Sequence, residues 1–203
     1  TETNSTAVGR QNDALLNYSV AVGAANVASG EYSSAVGYSN NITADYSAAL
    51  GYNNDATANN TTAVGVSSEA TASYATAVGY NNEATASYAT AVGYSNEATG
   101  NQSTSVGHNN NAAYRATALG YNNNAFASSV TALGYNNDTT ANYATAVGYD
   151  NDATAESATA VGYNNKATGT HGTAVGYNNK ADDRSTALGY LNEATGPYST
   201  AVG

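Results

Sequence analysis

The sequence predicts an all-β solenoid, in which short parallel coils stack on one another. A glycine preceded by Val or Leu, and before that by Ala or Ser, recurs every fourteen residues, with two intervals of thirteen. Repeats in strict register are typical of stacked arrays in which each copy contacts mainly its neighbours. These repeat glycines are Gly9, Gly23, Gly37, Gly51, Gly65, Gly79, Gly93, Gly107, Gly120, Gly134, Gly148, Gly162, Gly176, Gly189 and Gly203.

Each coil has room for two short strands and two turns, and none for a helix. We number the positions of a coil from 1 to 14, with the repeat glycine at 14. Residues 76–78, Thr-Ala-Val at positions 11 to 13, predict the first strand because β-branched residues favour strands. Asn81 and Asn82 predict a turn whose side-chain amides stack as ladders. Residues 84–86, at positions 5 to 7, predict the second strand, and both thirteen-residue coils are shortened in the turn that follows.

Composition limits both the core and the partners. The chain has one Phe, no Trp, Met or Cys, and a net charge of −10. Nucleic acids and anionic lipids require clusters of Lys and Arg, and the chain has only five such residues. No apolar run reaches the roughly 20 residues that cross a bilayer. We therefore expect neither a nucleic-acid partner nor membrane contact by this stretch of chain.

The thin core predicts an obligate oligomer. Burying one Val contributes about 1.5 kcal/mol, whereas ordering fourteen residues costs on the order of 14–28 kcal/mol. Strand residues alternate between faces, so positions 11 and 13 are expected to face the core and the Ala at position 12 to face outwards. This Ala column is predicted to pack against another chain. The expected interface residues are Ala49, Ala63, Ala77, Ala91, Ala132 and Ala146.

Tyrosine is the most regular candidate for surface recognition. Ten of the eighteen Tyr residues occupy position 1 and seven occupy position 9. Because coils stack about 4.8 Å apart, each column predicts an aromatic ladder. The rings either cover the edges of the core or form a contact surface, since Tyr combines apolar area with a hydroxyl group. The candidate binding residues are Tyr52, Tyr80, Tyr94, Tyr121, Tyr135, Tyr149, Tyr163 and Tyr177.

No constellation of residues predicts catalysis. Position 4 carries an acidic column, including Glu69 and Glu83, which is expected to face solvent; cation binding by its carboxylates is an alternative. His108 and His171 occupy Tyr positions and are interpreted as substitutions within aromatic columns. Nucleophile, base and orienting group do not recur together, and a fourteen-residue coil offers no cleft. We expect a protein that is not an enzyme and that uses no cofactor or metal.

Two copies of the repeat resemble a known family. Residues 18–30 (YSVAVGAANVASG) and 90–100 (TAVGYSNEATG) are similar to the head repeat of YadA-like trimeric autotransporter adhesins, and the similarity covers essentially the whole chain. It implies a left-handed parallel β-roll that assembles as a homotrimer. It also implies display on the outer surface of a Gram-negative bacterium and attachment to extracellular matrix protein, host cells or abiotic surfaces.

The sequence departs from the family pattern at two places: Thr usually replaces Val at position 11, and Tyr-Asn-Asn follows the glycine. We expect residues 1–203 to be one head domain of about fourteen coils. The stalk and the outer-membrane anchor would belong to other parts of a longer protein.

Two alternatives to adhesion stay open at this point. An ice-binding solenoid would also carry ladders of Thr or Tyr, but its Thr side chains would have to point outwards. A structural spacer, such as a fibre shaft, would only set the distance between other parts. Thermal hysteresis tests the first alternative, and replacing the segment by foreign coils of equal length tests the second.

Overall fold

The computed structural model describes residues 4–203, so the first three residues of the expected array lie outside the described part. Across residues 4–203 the only regular elements are β-strands, and no helix occurs. The chain divides into two compact units, Thr1–Gln102 (unit 1) and Ser103–Gly203 (unit 2). Whether the two units act as one head domain stays a prediction.

In both units a long strand alternates with a two-residue strand. The strands of unit 1 are β1 (Thr6–Arg10), β2 (Asp13–Ala14), β3 (Val20–Ala24), β4 (Val27–Ala28), β5 (Ser34–Tyr38), β6 (Asn41–Ile42), β7 (Ala48–Tyr52), β8 (Asp55–Ala56), β9 (Thr62–Val66), β10 (Glu69–Ala70), β11 (Thr76–Tyr80), β12 (Glu83–Ala84), β13 (Thr90–Tyr94) and β14 (Glu97–Ala98). The strands of unit 2 are β15 (Thr104–His108), β16 (Asn111–Ala112), β17 (Thr117–Tyr121), β18 (Asn124–Ala125), β19 (Thr131–Tyr135), β20 (Asp138–Thr139), β21 (Thr145–Tyr149), β22 (Asp152–Ala153), β23 (Thr159–Tyr163), β24 (Lys166–Ala167), β25 (Thr173–Tyr177), β26 (Lys180–Ala181), β27 (Thr186–Tyr190), β28 (Glu193–Ala194) and β29 (Thr200–Val202).

Equivalent positions of successive coils lie directly above one another. In unit 1, β11 pairs with β13 in parallel, which places Thr76 opposite Thr90 and Tyr80 opposite Tyr94. The two shortened coils of unit 2 keep the same register, because β15 and β17 pair Gly107 with Gly120, and β25 and β27 pair Gly176 with Gly189. Each unit is therefore a parallel β-solenoid with one sheet of long strands and one of short strands. The predicted fold class, an all-β stack of coils in register, is confirmed.

The repeat glycine is required by both conformation and space. Gly148 has a φ of 123°, a region that side chains other than hydrogen rarely adopt. A Cβ atom at this position would lie 2.1 Å from the carbonyl oxygen of Gly162 in the next coil. The close approach of successive backbones therefore excludes every residue but glycine from position 14.

The second strand lies earlier in the coil than predicted. It occupies positions 4 and 5, as in Glu83–Ala84, and not positions 5 to 7. The chain extends as soon as it leaves the turn at Asn82, and Thr85 adds one further backbone hydrogen bond to Ala98. The next residues already form the second turn, which the N–H of Ala89 closes by donating to the carbonyl of Ala86 (3.1 Å).

The predicted assignment of inner and outer faces is wrong. From Ala21 to Ala187 the Ala residues at position 12 are fully buried within their own chain, whereas positions 11 and 13 lie on the outer face; Leu50 is 49% exposed. A side chain with no exposed surface cannot supply contact area to another chain. The predicted interface role therefore does not hold for Ala49, Ala63, Ala77, Ala91, Ala132 and Ala146, all 0% exposed.

The narrow coil explains this inversion. Two short strands per coil leave an interior wide enough only for small or flat side chains, so Ala lines positions 5 and 12, with Ala, Ser or Thr at most copies of position 10. The largest fully buried side chains are Ile42, Val130 and a series of Asn residues. In the long strands the small Ala at position 12 fills this space, so Val and Leu at position 13 lie on the opposite, outer face.

A column of buried Asn side chains at position 3 ties the coils together. The amide nitrogen of Asn151 donates to Oδ1 of Asn137 (2.9 Å), to the carbonyl of Val147 (3.1 Å) and to the carbonyl of Gly162 (2.8 Å). A buried amide is stable only when its donors and acceptors are paired, and this column pairs them between three coils. The predicted amide ladder is confirmed, and it lies inside the solenoid.

Candidate binding surfaces

Unit 1 carries short tyrosine stacks at both turns. At position 1, Tyr52 stacks on Tyr38 with ring centroids 5.3 Å apart, and Tyr80 stacks on Tyr94 at 5.0 Å. Val66 occupies the same column between the two pairs. At position 9 the stacked pairs are Tyr18–Tyr32, Tyr32–Tyr46 and Tyr74–Tyr88, with centroids 4.9 to 5.2 Å apart.

Unit 2 carries one continuous ladder, which we name the unit 2 tyrosine ladder. Its successive ring centroids are 4.8 to 5.0 Å apart and its rings are nearly parallel, with interplanar angles of 4° to 15°. His108 extends the ladder by stacking on the first ring at 4.7 Å, which confirms its interpretation as a substitute for Tyr. The ladder consists of Tyr121, Tyr135, Tyr149, Tyr163, Tyr177 and Tyr190.

The stacked rings leave their edges and hydroxyl groups at the surface. The eight candidate binding residues are each 43% to 53% exposed, because each ring covers the faces of its neighbours. A neighbouring row of side-chain amides at position 2 runs parallel to the ladder; Asn122 donates to Oδ1 of Asn136 at 2.7 Å. The ladder presents a regular row of aromatic edges and hydroxyls, and beside it lies a row of side-chain amides in which Asp150 replaces one Asn.

The tyrosines at position 9 have a strained backbone. Tyr143 has a φ of 61° and Tyr88 a φ of 60°, in the left-handed region that favours Gly and Asn. Their side chains are 62% and 58% exposed. In unit 2 this column contains Arg184, which lies over the ring of Tyr198 at 5.4 Å, and His171, which is exposed.

The outer face of the long strands is a surface that the sequence analysis missed. It carries Thr at position 11 and Val or Leu at position 13, in register from coil to coil. Leu119, Leu133 and Leu188 are 39%, 37% and 44% exposed. The size of the side chains could have identified this face. Leu at position 13 is much larger than the buried Ala at position 12, which indicates that position 13 faces outwards. In each unit, this face is an aliphatic stripe flanked mainly by hydroxyl groups.

Position 4 forms a charged column on the sheet of short strands. In unit 1, β8, β10 and β12 place Asp55, Glu69 and Glu83 next to one another. Burial, followed by the charges of Glu83 and Asp55, raises the pKa of Glu69 above its usual value. The Glu69 side chain is nevertheless exposed, as the sequence analysis expected of this column.

In unit 2 the charge of this column changes sign along the stack. Burial, followed by the charge of Asp152, raises the pKa of Asp138. Oδ1 of Asp138 is buried without a hydrogen-bond partner. Asp152 also forms an ion pair with Lys166, with an Nζ–Oδ2 distance of 3.7 Å. Within residues 4–203, no three carboxylate or histidine side chains come close enough to hold one metal ion.

Comparison with protein families matches the chain over nearly its whole length. The model described as the YadA head domain repeat (2 copies) matches residues 1–26, 17–40, 28–54, 43–68, 56–82, 84–110, 112–137, 131–151, 153–179 and 183–203. No curated protein matches the chain. In the described residues, no helix is long and apolar enough to cross a membrane. The family match covers both units, so the chain belongs to the YadA head family and is a YadA-like head domain of a trimeric autotransporter adhesin.

Proposed function

We propose that this chain is the adhesive head of a bacterial surface protein that attaches cells to matrix proteins, to other cells or to abiotic surfaces. The family is one of adhesins without catalytic activity, displayed at the cell surface. The observation that carries the proposal is the set of exposed tyrosine columns, because regularly repeated weak contacts combine into strong attachment when many engage together. In the full-length protein, an outer-membrane anchor would hold this extracellular head at the cell surface.

The head assembles as a homotrimer through the outer face of the long strands, with each chain wound as a left-handed roll. Two features support this assembly. The interior contains mainly Ala and Asn, so the aliphatic side chains with the most area, such as Leu50 and Leu133, are left at the surface. A second and third copy of the same chain would cover this stripe with an equally periodic surface, which lets identical coils meet in register.

The assembly is tested by placing a charge on each sheet. Val147→Lys puts an ammonium group in the aliphatic stripe, where an interface would bury it unpaired, so we expect dissociation to monomers. Thr154→Lys adds the same charge at an exposed position outside the long-strand sheet and should leave the trimer intact. Sedimentation velocity measures the molar mass of each. A monomeric unaltered chain, or a trimeric Val147→Lys variant, would refute this interface.

The adhesive surface is tested with the unit 2 tyrosine ladder. Replacing Tyr135, Tyr149 and Tyr163 by Ser removes the aromatic edges while the buried Ala and Asn columns stay unchanged. We expect binding of the purified head to collagen, fibronectin, polystyrene and glass to fall on at least one of these surfaces. A matched control replaces exposed residues of the short-strand side, such as Thr154 and Thr168, by Ser. A role for the ladder would be refuted if the unaltered head, the Tyr variant and the Thr control bound equally to all four surfaces.

Ice binding is a second candidate, and the orientation of the Thr column favours it. From the sequence, Thr was expected to point inwards, but position 11 lies on the outer face and is half-buried there, as at Thr131 and Thr145. Thermal hysteresis of the purified head distinguishes the candidates. The structural spacer is tested by foreign coils of equal length, which would preserve cell attachment if the head only sets distance.

A further inference from the structure

We propose that the unit 2 tyrosine ladder is a site of oxidative cross-linking, at which tyrosines of successive coils become joined as dityrosine. The reaction would add covalent bonds between coils that the folded chain otherwise holds together by hydrogen bonds and stacking. The reaction needs a one-electron oxidant from outside the chain, such as a haem peroxidase supplied with hydrogen peroxide. This role is independent of adhesion and of the trimer.

Composition directs oxidation to tyrosine. The chain contains eighteen Tyr residues and no Cys, Met or Trp. Thiols and thioethers are the side chains that oxidants ordinarily modify first, and their oxidation would divert the reaction. In their absence, the phenol groups are the principal electron donors of the chain. An oxidant that reaches the surface therefore meets tyrosine.

The geometry holds each reacting pair together before the reaction begins. The rings of Tyr149 and Tyr163 lie with centroids 4.9 Å apart and an interplanar angle of 4°. The strands β21 and β23 keep the two residues in register. Both rings are more than two-fifths exposed, at 43% and 44%, so an oxidant reaches their edges. Fixing two reactants side by side favours coupling within the chain over coupling between chains.

The chemistry balances without any group from the protein. The oxidant removes one electron and one proton from each of two phenols, which gives two phenoxyl radicals. Unpaired spin lies partly on the ring carbons next to the hydroxyl group, and two such carbons form a carbon–carbon bond. The two ring hydrogens leave as protons and each oxygen takes up one proton, which restores both aromatic rings and both hydroxyls. The pair loses two hydrogen atoms in total, and one hydrogen peroxide molecule becomes two water molecules.

A bridge of this kind closes a loop of one coil. Cross-links that close a loop restrict the unfolded chain, as disulfides do, and so favour the folded state. A series of bridges along the ladder would oppose separation of neighbouring coils, the step by which a solenoid opens. The unit 2 tyrosine ladder would then strengthen the head under oxidising conditions.

The test treats the purified chain with a haem peroxidase and hydrogen peroxide. Dityrosine fluorescence and a mass decrease of two hydrogen atoms per bridge report the reaction. Asp150, Asp152 and Glu156 lie between Tyr149 and Tyr163, so cleavage at acidic residues separates the two tyrosines and reveals a linked peptide pair. We expect this pair from the folded chain, with a yield at least about tenfold lower from chain unfolded in urea.

Two single variants complete the test. Tyr163→Phe keeps a stacked ring but removes a phenol, so the linked peptides should disappear. Tyr143→Phe removes a phenol that is more exposed, at 62%, and whose column neighbours are Ser129 and Ser157, so it should leave the yield of linked peptides unchanged. Circular dichroism checks that both variants fold. Bridges that form mainly between chains, bridges at Tyr143 as frequent as those in the ladder, or no bridges at all would overturn the proposal.

Discussion

Ser68 is the one interruption in the buried Asn column of unit 1, and replacing it by Asn should stabilise the protein. A regular member shows what is missing. Asn40 donates through its amide nitrogen to Oδ1 of Asn26 at 2.9 Å and to the carbonyl of Val36 at 3.1 Å. Its own Oδ1 accepts from the backbone N–H and the side-chain amide of Asn54, at 3.1 and 2.8 Å.

Ser68 makes fewer hydrogen bonds than Asn40. Its backbone N–H donates to Oδ1 of Asn54 at 3.0 Å, and its hydroxyl donates weakly to the carbonyl of Gly79 at 3.4 Å. The Asn82 amide nitrogen donates to two carbonyl groups, those of Val78 and Gly93. Ser68→Asn would add two donor bonds from the new amide and give the backbone and side chain of Asn82 an acceptor.

Four added hydrogen bonds, at about 1 kcal/mol each, less about 1 kcal/mol for ordering a longer side chain, give a stabilisation of about 2–3 kcal/mol. Urea denaturation followed by circular dichroism measures this change, at one fixed protein concentration because association shifts apparent stability. Hydrogen exchange at the Asn82 amide should slow by about 30- to 150-fold where it follows the same opening.

The reciprocal substitution Asn40→Ser is the matched control in the same unit. It removes an equivalent set of hydrogen bonds and should destabilise by a similar amount. If Ser68→Asn lowered the stability or left it unchanged while Asn40→Ser destabilised, the space at Ser68 would have closed around the smaller residue. The account of the Asn column as a uniform, additive ladder would then be wrong.

Four other substitutions test three further parts of the structure. Because the folded-state pKa values of Glu69 and Asp138 are raised, their contribution to stability is complete below their unfolded pKa values and is lost as the pH rises through the folded ones. Stability should thus fall as the pH rises from about 4, and Glu69→Gln or Asp138→Asn should raise it at neutral pH by less than about 1 kcal/mol, measured by thermal unfolding across pH. Gly148→Ala should cost about 2–6 kcal/mol in urea denaturation, from backbone strain and the clash with the next coil. Tyr143→Asn should raise the midpoint of thermal unfolding by relieving about 1 kcal/mol of left-handed backbone strain.

Each of these expectations has a contrary result. A stability that rose between pH 4 and 7, or that kept its pH dependence in the double variant Glu69→Gln/Asp138→Asn, would contradict the role of these carboxylates. Unchanged urea denaturation of Gly148→Ala would mean that successive backbones can separate at low cost. A lower midpoint for Tyr143→Asn would show that the Tyr ring contributes more than its strained backbone costs.

The sequence was sufficient to predict the register of the fold, because a glycine that no other residue can replace recurs at a fixed interval. It also predicted the aromatic and amide ladders, since equal positions must superpose once the coils are parallel. It did not predict which face is interior. Alternation shows that Thr76 and Val78 share a side opposite Ala77, but not which side faces in. Hydrophobicity favoured Val inside, whereas the narrow two-strand coil is filled mainly by Ala, Ser and Asn side chains.

The amide-lined interior has a consequence for the temperature dependence of stability. Apolar surface exposed on unfolding raises the heat capacity, and polar surface lowers it. A core of Ala methyl groups and Asn amides exposes little of the former and much of the latter, so the heat-capacity increment per residue of a single chain should be small. The curve of free energy against temperature would then be broad and shallow, and cooling would weaken this fold less than it weakens proteins with large aliphatic cores.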